Sequence, residues 1–221
     1  MKRNLKQLWQ EHKTLLAITS CIILLQTLVG VAIWDQLPDP IATHFNFRNE
    51  PDGWTSRAFT VFGMPLVLLA LHWICLLASC SNYGQMRNDY GKVKYLLLFI
   101  IPAISLLMMV LCYGYALGAA FNIGRVVLVF LGALFMVTGN YLPKVRRNHW
   151  TGIKLPWTLA DEENWNKTHR MAAPVWFVCG IVLIVCGLIG YTTWFAFVVI
   201  CIMVFLPTAY SFALHIRKTR G

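Results

Sequence analysis

Six histidines, nine acids and seven cysteines are the residues of this 221-residue chain with the most chemistry to offer, and their spacing limits what they can do. His169 stands near Asp161, Glu162 and Glu163, and His44 near Asp39, Glu50 and Asp52. Either cluster could attract a cation, but a metal centre needs several ligands at workable spacing. No second histidine lies at ligand spacing from His169, His149 is cut off from it by a glycine and a proline, and HExxH is absent. The cysteines at 21, 75, 80, 112, 179, 186 and 201 are odd in number, form no CxxC pair and lie in or beside apolar runs. That pattern describes small packing residues rather than a disulfide framework or a zinc knot. GxSxG, P-loop and Cys-His arrangements are missing, so neither an enzyme nor a cofactor is expected. His72 is the most conspicuous ionisable side chain inside an apolar run; it could relay protons. With no carboxylate in any such run, a local hydrogen bond that packs helices is the simpler role.

The elements that carry these residues follow from composition. Hydrophobic residues make up 58% of the chain and charged residues only 13%, outside the range of soluble domains. Apolar runs of about twenty residues recur, each long enough to cross a bilayer as a helix. The fold class is therefore all-α: a polytopic membrane protein with about six spans, near Leu15–Trp34, Ala58–Cys80, Tyr95–Ala119, Arg125–Leu142, Pro174–Gly190 and Trp194–Leu214. Residues 1–14 are basic, with Leu5, Leu8 and Trp9 at helical spacing, which predicts a short interfacial helix. The first run is too long for a signal peptide and lacks a small-x-small cleavage site, so it reads as a retained anchor. Gly114 and Gly118 are spaced for close helix contact in the third span.

Net charge is +10. In a soluble protein that would suggest nucleic acid; here the charge is segmented between apolar runs and points to the lipid bilayer instead. With both termini cytoplasmic, sixteen of the nineteen basic residues lie inside and only Arg48, Arg57 and Arg125 outside, the bias expected of an inserted protein. The plasma membrane is the expected location. No internal repeat supports an inverted-repeat transporter.

Two polar intervals are too dense to be simple connectors. In the outward one, 35–57, Pro38 and Pro40 stop the helix. Ile41, Thr43, Phe45 and Phe47 then alternate with Ala42, His44, Asn46 and Arg48, the period of an extended segment. Pro51-Asp52-Gly53 reads as a tight turn, and Trp54 as the return to the interface. The cytoplasmic interval, 143–174, lies within the stretch GNYLPKVRRNHWTGIKLPWTLADEENWNKTHR at 139–170 and the few residues after it; that stretch carries six basic residues, three adjacent acids and three tryptophans. Thr158-x-x-Asp161 fits a capping box for a helix over 159–170. Its acids lead, its bases trail, and Glu163 and Lys167 are spaced for a favourable pair. Asp161, Trp165 and His169 fall on one face, either as a docking surface with Trp157 or as an interfacial helix anchored by Trp165.

The order of these residues resembles a known family. Gly139-Asn140, a basic turn containing Asn148, Gly152-Ile-Lys-x-Pro156-Trp157-Thr158-Leu, the acidic patch, and Trp165-x-Lys-Thr-His169-Arg170 are similar to the C-terminal domain of the SdpI family of bacterial toxin-immunity membrane proteins. Leu37-Pro-x-x-Ile-x-x-His44-Phe45-Asn46, followed by Glu-Pro-Asp-Gly-Trp54, resembles the small N-terminal domain of unknown function that often precedes it. Ala172-Ala173-Pro174 departs from the glycines of the family pattern, and Asn49 stands where glycine is usual. The resemblance implies an N-terminal two-span unit, 1–90, and a four-span domain, 91–221. It also implies resistance to a secreted peptide toxin, with a cytoplasmic transcriptional repressor sequestered by the toxin-bound form. Candidate toxin-binding residues are His44, Phe45, Asn46, Phe47 and Trp54. Candidate partner-binding residues are Asn148, Gly152, Pro156, Trp157, Thr158, Trp165, His169 and Arg170. The rival reading, a small-solute or lipid transporter, needs polar groups along a path through the spans, which offer few: Thr19, Gln26, Thr27, His72, Ser105, Thr138 and Asn140.

Overall fold

A computed structural model describes residues 5–46, 48–81, 93–120, 122–149, 151–190 and 194–220. Six of its helices are long and apolar enough to cross a membrane, so the all-α, six-span reading holds, with one small β-hairpin as the exception. The spans are carried by α1 (Leu5–Ala32), α2 (Met64–Ser81), α3 (Val93–Ala116), α4 (Ile123–Tyr141), a fifth long helix starting at Glu162, and a sixth over Trp194–Arg220. The amphipathic N-terminal stretch is not a separate helix: from Leu5 it is continuous with the first span. By packing the chain forms two units, 1–123 and 124–221, each holding three spans. The sequence boundary expected near residue 90 lies outside the described residues, as do Phe47, Trp150 and the turn at 191–193.

In the first unit one face of α1 is buried at helical spacing: Thr19, Ile23, Gln26 and Gly30. The Thr19 hydroxyl and both Gln26 oxygens on that face are met by groups on the neighbouring helices. Thr19 has one hydroxyl proton, and the Leu15 carbonyl takes it at 2.9 Å. Its oxygen therefore accepts from His72 Nε2–H at 3.0 Å. His72 thus joins α2 to α1, the packing role. From α3, Ser105 Oγ donates to Gln26 Oε1 at 3.4 Å and Tyr113 donates its hydroxyl to the Gln26 carbonyl at 3.1 Å. A second core of Leu37, Ile41, Val61, Cys112 and Tyr113 seats the loop that follows α1.

Pro65 shapes the start of α2. It has no N–H, so the Val61 carbonyl four residues earlier loses its α-helical donor. The backbone widens into a π-helical turn at Phe59–Gly63, and Thr27 of α1 donates to that carbonyl at 2.9 Å.

The second unit is built on α4 and the two helices after it, α6 (Glu162–Ile189) and α7 (Trp194–Arg220), with a five-residue α5 (Pro156–Ala160) before them. Residues seven apart on each of α4 and α6 form the seam. A Cβ at Gly132 would lie 2.5 Å from the Gly180 carbonyl oxygen, and one at Gly180 would lie 2.6 Å from that of Gly132. Gly139 meets Ala173 and Gly187 meets the backbone of Arg125, so the two helices run antiparallel. Gly118, expected to pack a helix, instead follows the end of α3 at φ 85° with nothing near its missing Cβ. Its role is the left-handed turn that glycine adopts without steric cost. On α7, Pro207 frees the carbonyl of Met203, and Trp176 of α6 donates its indole N–H to it at 3.1 Å. The unit's core is Leu128, Cys179, Leu183, Ala196, Val199 and Met203.

Candidate functional site

Two loops carry the candidate residues, one in each unit. The 35–57 loop folds as an antiparallel hairpin of β1 (Ile41–Phe45) and β2 (Pro51–Thr55), pairing Ile41 with Thr55 and Ala42 with Trp54. The turn is not where its residue types predict. Pro51-Asp52-Gly53 belongs to β2, and the reversal comes before it, where Arg48, Asn49 and Glu50 are tied back to Asn46. Asn46 makes it: its Oδ1 accepts the N–H groups of Arg48 (2.8 Å) and Glu50 (3.1 Å), and its Nδ2 donates to Glu50 Oε2 at 3.1 Å. That local competition for backbone donors is what gives asparagine its turn preference. Asn49 takes φ 64°, the left-handed conformation asparagine tolerates better than most residues. Its side chain also accepts the Ile123 N–H at 2.7 Å.

Arg57 closes the base of this loop. Its guanidinium donates to the carbonyls of Trp34 (3.0 Å) and Leu37 (3.1 Å) and lies 4.5 Å above the Trp34 ring. Ile41 and Ala42 are buried, so the hairpin is rooted by β1 and its polar side faces out. His44 is exposed and its Nδ1 bonds Asp52 Oδ1 across the strands. Phe45 is half-buried, edge-on to Tyr115 at 4.8 Å. Trp54 is 54% exposed. Of the five candidates here, His44 and Trp54 are the surface groups, Phe45 and Asn46 build the hairpin, and Phe47 lies outside the described residues.

The 143–174 loop is tied more tightly. A 3-10 turn at Leu142–Lys144 ends α4, and an Asn148 side chain folds the chain back, accepting the Thr151 N–H at 2.7 Å and donating to the carbonyls of Arg146 (2.8 Å) and Thr151 (3.0 Å). Gly152 then adopts φ 114°, and a Cβ there would strike His169 Nε2 at 2.5 Å and the Trp165 ring at 2.9 Å. Both the backbone conformation and the space therefore require glycine. His169 Nδ1 bonds the Trp165 carbonyl at 2.8 Å, while Nε2 accepts the Ile153 N–H at 3.0 Å. That pairing uses the neutral Nδ1–H tautomer, with both nitrogens satisfied. Trp165 is fully buried, stacks on His169 with ring centroids 4.1 Å apart, and donates its indole N–H to the Val145 carbonyl at 2.8 Å.

The helix in this loop differs from the predicted one. Thr158 does not cap 159–170; it lies in α5, accepting the Leu155 N–H at 2.9 Å and donating to the Ile153 carbonyl at 2.9 Å. Asp161 is the N-cap, accepting from the Glu163 N–H at 3.1 Å, and α6 then runs through Pro174 into the fifth span without a break. Asp161 can cap because its backbone is extended, at φ −129° and ψ 115°. Lys218 of α7 donates to its carboxylate at 2.9 Å, and that hydrogen bond holds the acid below the usual carboxylate range. Glu163 pairs with Lys167 at 2.7 Å, as their spacing predicts.

Residues that sequence reasoning missed complete the tie. Asn164 is buried; it donates to the Ser211 carbonyl at 3.0 Å and accepts from Ser211 Oγ (2.7 Å) and Thr168 (3.0 Å). Trp157 donates its indole N–H to Ser211 Oγ at 2.9 Å and stacks on His215. The signal was a serine and two hydroxyl or amide residues at helical spacing in otherwise apolar or charged surroundings. Asn148, Thr158, Trp165 and His169 are thus buried and form the loop's scaffold, and Gly152 is half-buried within it. Pro156 and Arg170 are exposed and Trp157 is half-buried at the edge.

Comparison with known proteins bears on both loops. The SdpI/YfhL protein family matches residues 144–211, and a domain of unknown function, DUF1648, matches residues 21–69. A curated relative, "Immunity protein SdpI" of Bacillus subtilis (strain 168), is 26% identical over 171 residues, covering 76% of this chain and 79% of that protein. No solved structure matches.

Proposed function

With an SdpI-family domain in a multi-pass bacterial membrane protein, we propose that this chain is an immunity protein that protects its cell against a secreted antimicrobial peptide. The observation that carries the reading is the similarity to a protein named for immunity, which extends over three quarters of both chains rather than one motif. Both termini are cytoplasmic in this proposal, which places the hairpin outside and the 143–174 loop inside. Cysteine labelling tests that orientation: on a cysteine-free background, an impermeant reagent reaches a cysteine at Asn46 and misses one at Asn148. The reverse pattern would overturn it.

The peptide docks on the outward hairpin, at His44, Phe45, Asn46, Phe47 and Trp54. Support comes from an exposed tryptophan beside a polar His44–Asp52 pair, a surface suited to an amphipathic peptide. Pro51 lies in β2, where its missing N–H suits an edge strand. Inside, Pro156 and Trp157 centre the contact for a cytoplasmic repressor, with Arg170 at its membrane edge, and the loop is held in place by the scaffold of Asn148, Gly152, Thr158, Trp165 and His169. The test is expression in a cell sensitive to the co-encoded peptide. Wild type protects, and a double Phe45→Ala, Trp54→Ala variant at normal membrane abundance protects less. Wild type that never protects would overturn the immunity reading; undiminished protection by the variant would overturn the docking site alone.

A further inference from the structure

We infer that the loop end of the second unit is a collar for anionic phospholipid headgroups. Side-chain hydrogen bonds bring the end of α4, α5, the start of α6 and the end of α7 together there. Trp165 holds Val145, Asn164 and Trp157 hold Ser211, and Asp161 holds Lys218. That end carries exposed cations on the turn and loop after α4, on α6 and on α7, among them Lys144, Arg147, Arg170, Arg217 and Arg220. Its acids are Asp161, Glu162 and Glu163, and two of them are already engaged, Asp161 by Lys218 and Glu163 by Lys167. The surface is therefore strongly positive with little internal neutralisation.

The height of these cations selects a lipid. Phe212 of α7 is 47% exposed and Phe177 of α6 is 41% exposed, as side chains facing acyl chains must be. Arg217 follows Phe212 by five residues and Arg170 precedes Phe177 by seven, about 7 and 10 Å along a helix. The headgroup layer on each side of the hydrocarbon is roughly 5–8 Å thick. The Arg217 backbone thus stands within the headgroup layer and that of Arg170 just beyond it, and long basic side chains bend to reach the phosphates. Trp157, half-buried with its ring stacked on His215 at the same end, is the kind of aromatic that settles at this depth. A guanidinium beside a phosphate makes charge-assisted bonds, and a lipid with net negative charge adds a favourable field that a zwitterionic one lacks.

The experiment places the full-length protein in nanodiscs of phosphatidylcholine alone or mixed with phosphatidylglycerol and counts retained lipids by native mass spectrometry. Wild type should retain phosphatidylglycerol in preference to phosphatidylcholine, and its unfolding temperature should rise with phosphatidylglycerol and lose that rise in high salt. Replacing Arg170, Arg217 and Arg220 with glutamine should weaken the preference by about fivefold per residue, on the order of a hundredfold together. Arg48→Gln, on the hairpin, should leave it unchanged. Equal retention of the two lipids by wild type would overturn the collar and assign this surface to a soluble acidic partner. An unaltered preference in the triple variant would overturn it equally, and the salt response of wild type decides the matter if that variant does not fold.

Discussion

Trp165→Ala should release the 145–170 loop from the helices beneath it and cost about 3–5 kcal/mol, the range for truncating a buried tryptophan. The side chain is fully buried and performs three tasks at once. It fills the space under Gly152, it stacks on His169, and its indole satisfies the Val145 carbonyl. Removing it opens a cavity and leaves a buried acceptor unpaired, and the second effect alone costs about 1–3 kcal/mol. Hydrogen exchange is the measurement. Amides from Val145 to Ile153 should lose protection in the variant, while those of α3 keep theirs. Unchanged protection at Ile153, whose N–H bonds His169, would show that Trp165 does not support the loop. Trp165→Phe keeps the packing and loses the donor, so it should fall between wild type and alanine.

Leucine at Gly132 or Gly180 should be comparably damaging. Overfilling a packed interior costs about 1–3 kcal/mol when side chains can give way. Here the obstacle is main-chain carbonyl on the facing helix, which can move only if the whole helix does. The expected outcome is a protein that fails to accumulate, or one whose thermal unfolding in detergent falls far below wild type. Gly118→Ala is the contrasting case. Space is open there, and the left-handed backbone is the sole source of strain, so about 1 kcal/mol is expected. If leucine at Gly180 unfolds at the same temperature as that mild variant, α4 and α6 do not meet at backbone distance.

The spans were legible because a run of twenty apolar residues is the length a bilayer demands and far exceeds what a small soluble core can bury. The turn conformation at Asn49 was also readable, since one side chain's local preference sets it. Other features depended on partners distant in sequence. Pro51-Asp52-Gly53 has turn chemistry, but Asn46 commands more backbone donors and the cross-strand pairing of Trp54 with Ala42 needs those residues extended. Thr158 has the look of a cap because its hydroxyl precedes an acidic turn; Asp161 does the capping, and Lys218 from another helix secures that acid. Pro174 has the character of a span's first residue, yet a proline inside a helix forfeits one hydrogen bond, and the bonds on either side of it keep α6 continuous. The seven-residue spacing of Gly132 with Gly139 and of Gly180 with Gly187 was visible in the sequence. Its meaning required knowing that α4 and α6 run antiparallel with those positions in register.

The two prolines whose freed carbonyls are met by neighbours bear on how the protein is made. A lone helix in lipid has no water to satisfy a bare carbonyl, so the span of α2, with the Val61 carbonyl in the π-helical turn that leads into it, and α7, with the Met203 carbonyl, are poor solitary residents of a bilayer. In each case the donor lies on an earlier span, Thr27 on α1 and Trp176 on α6. Synthesis proceeds from the N-terminus, so the acceptor emerges from the ribosome after its donor is already in the membrane. Order of manufacture thus spares each defective helix a period of isolation. Moving either proline-bearing helix ahead of its donor, as a circular permutation would, exposes it to the quality-control proteases that remove half-assembled membrane proteins.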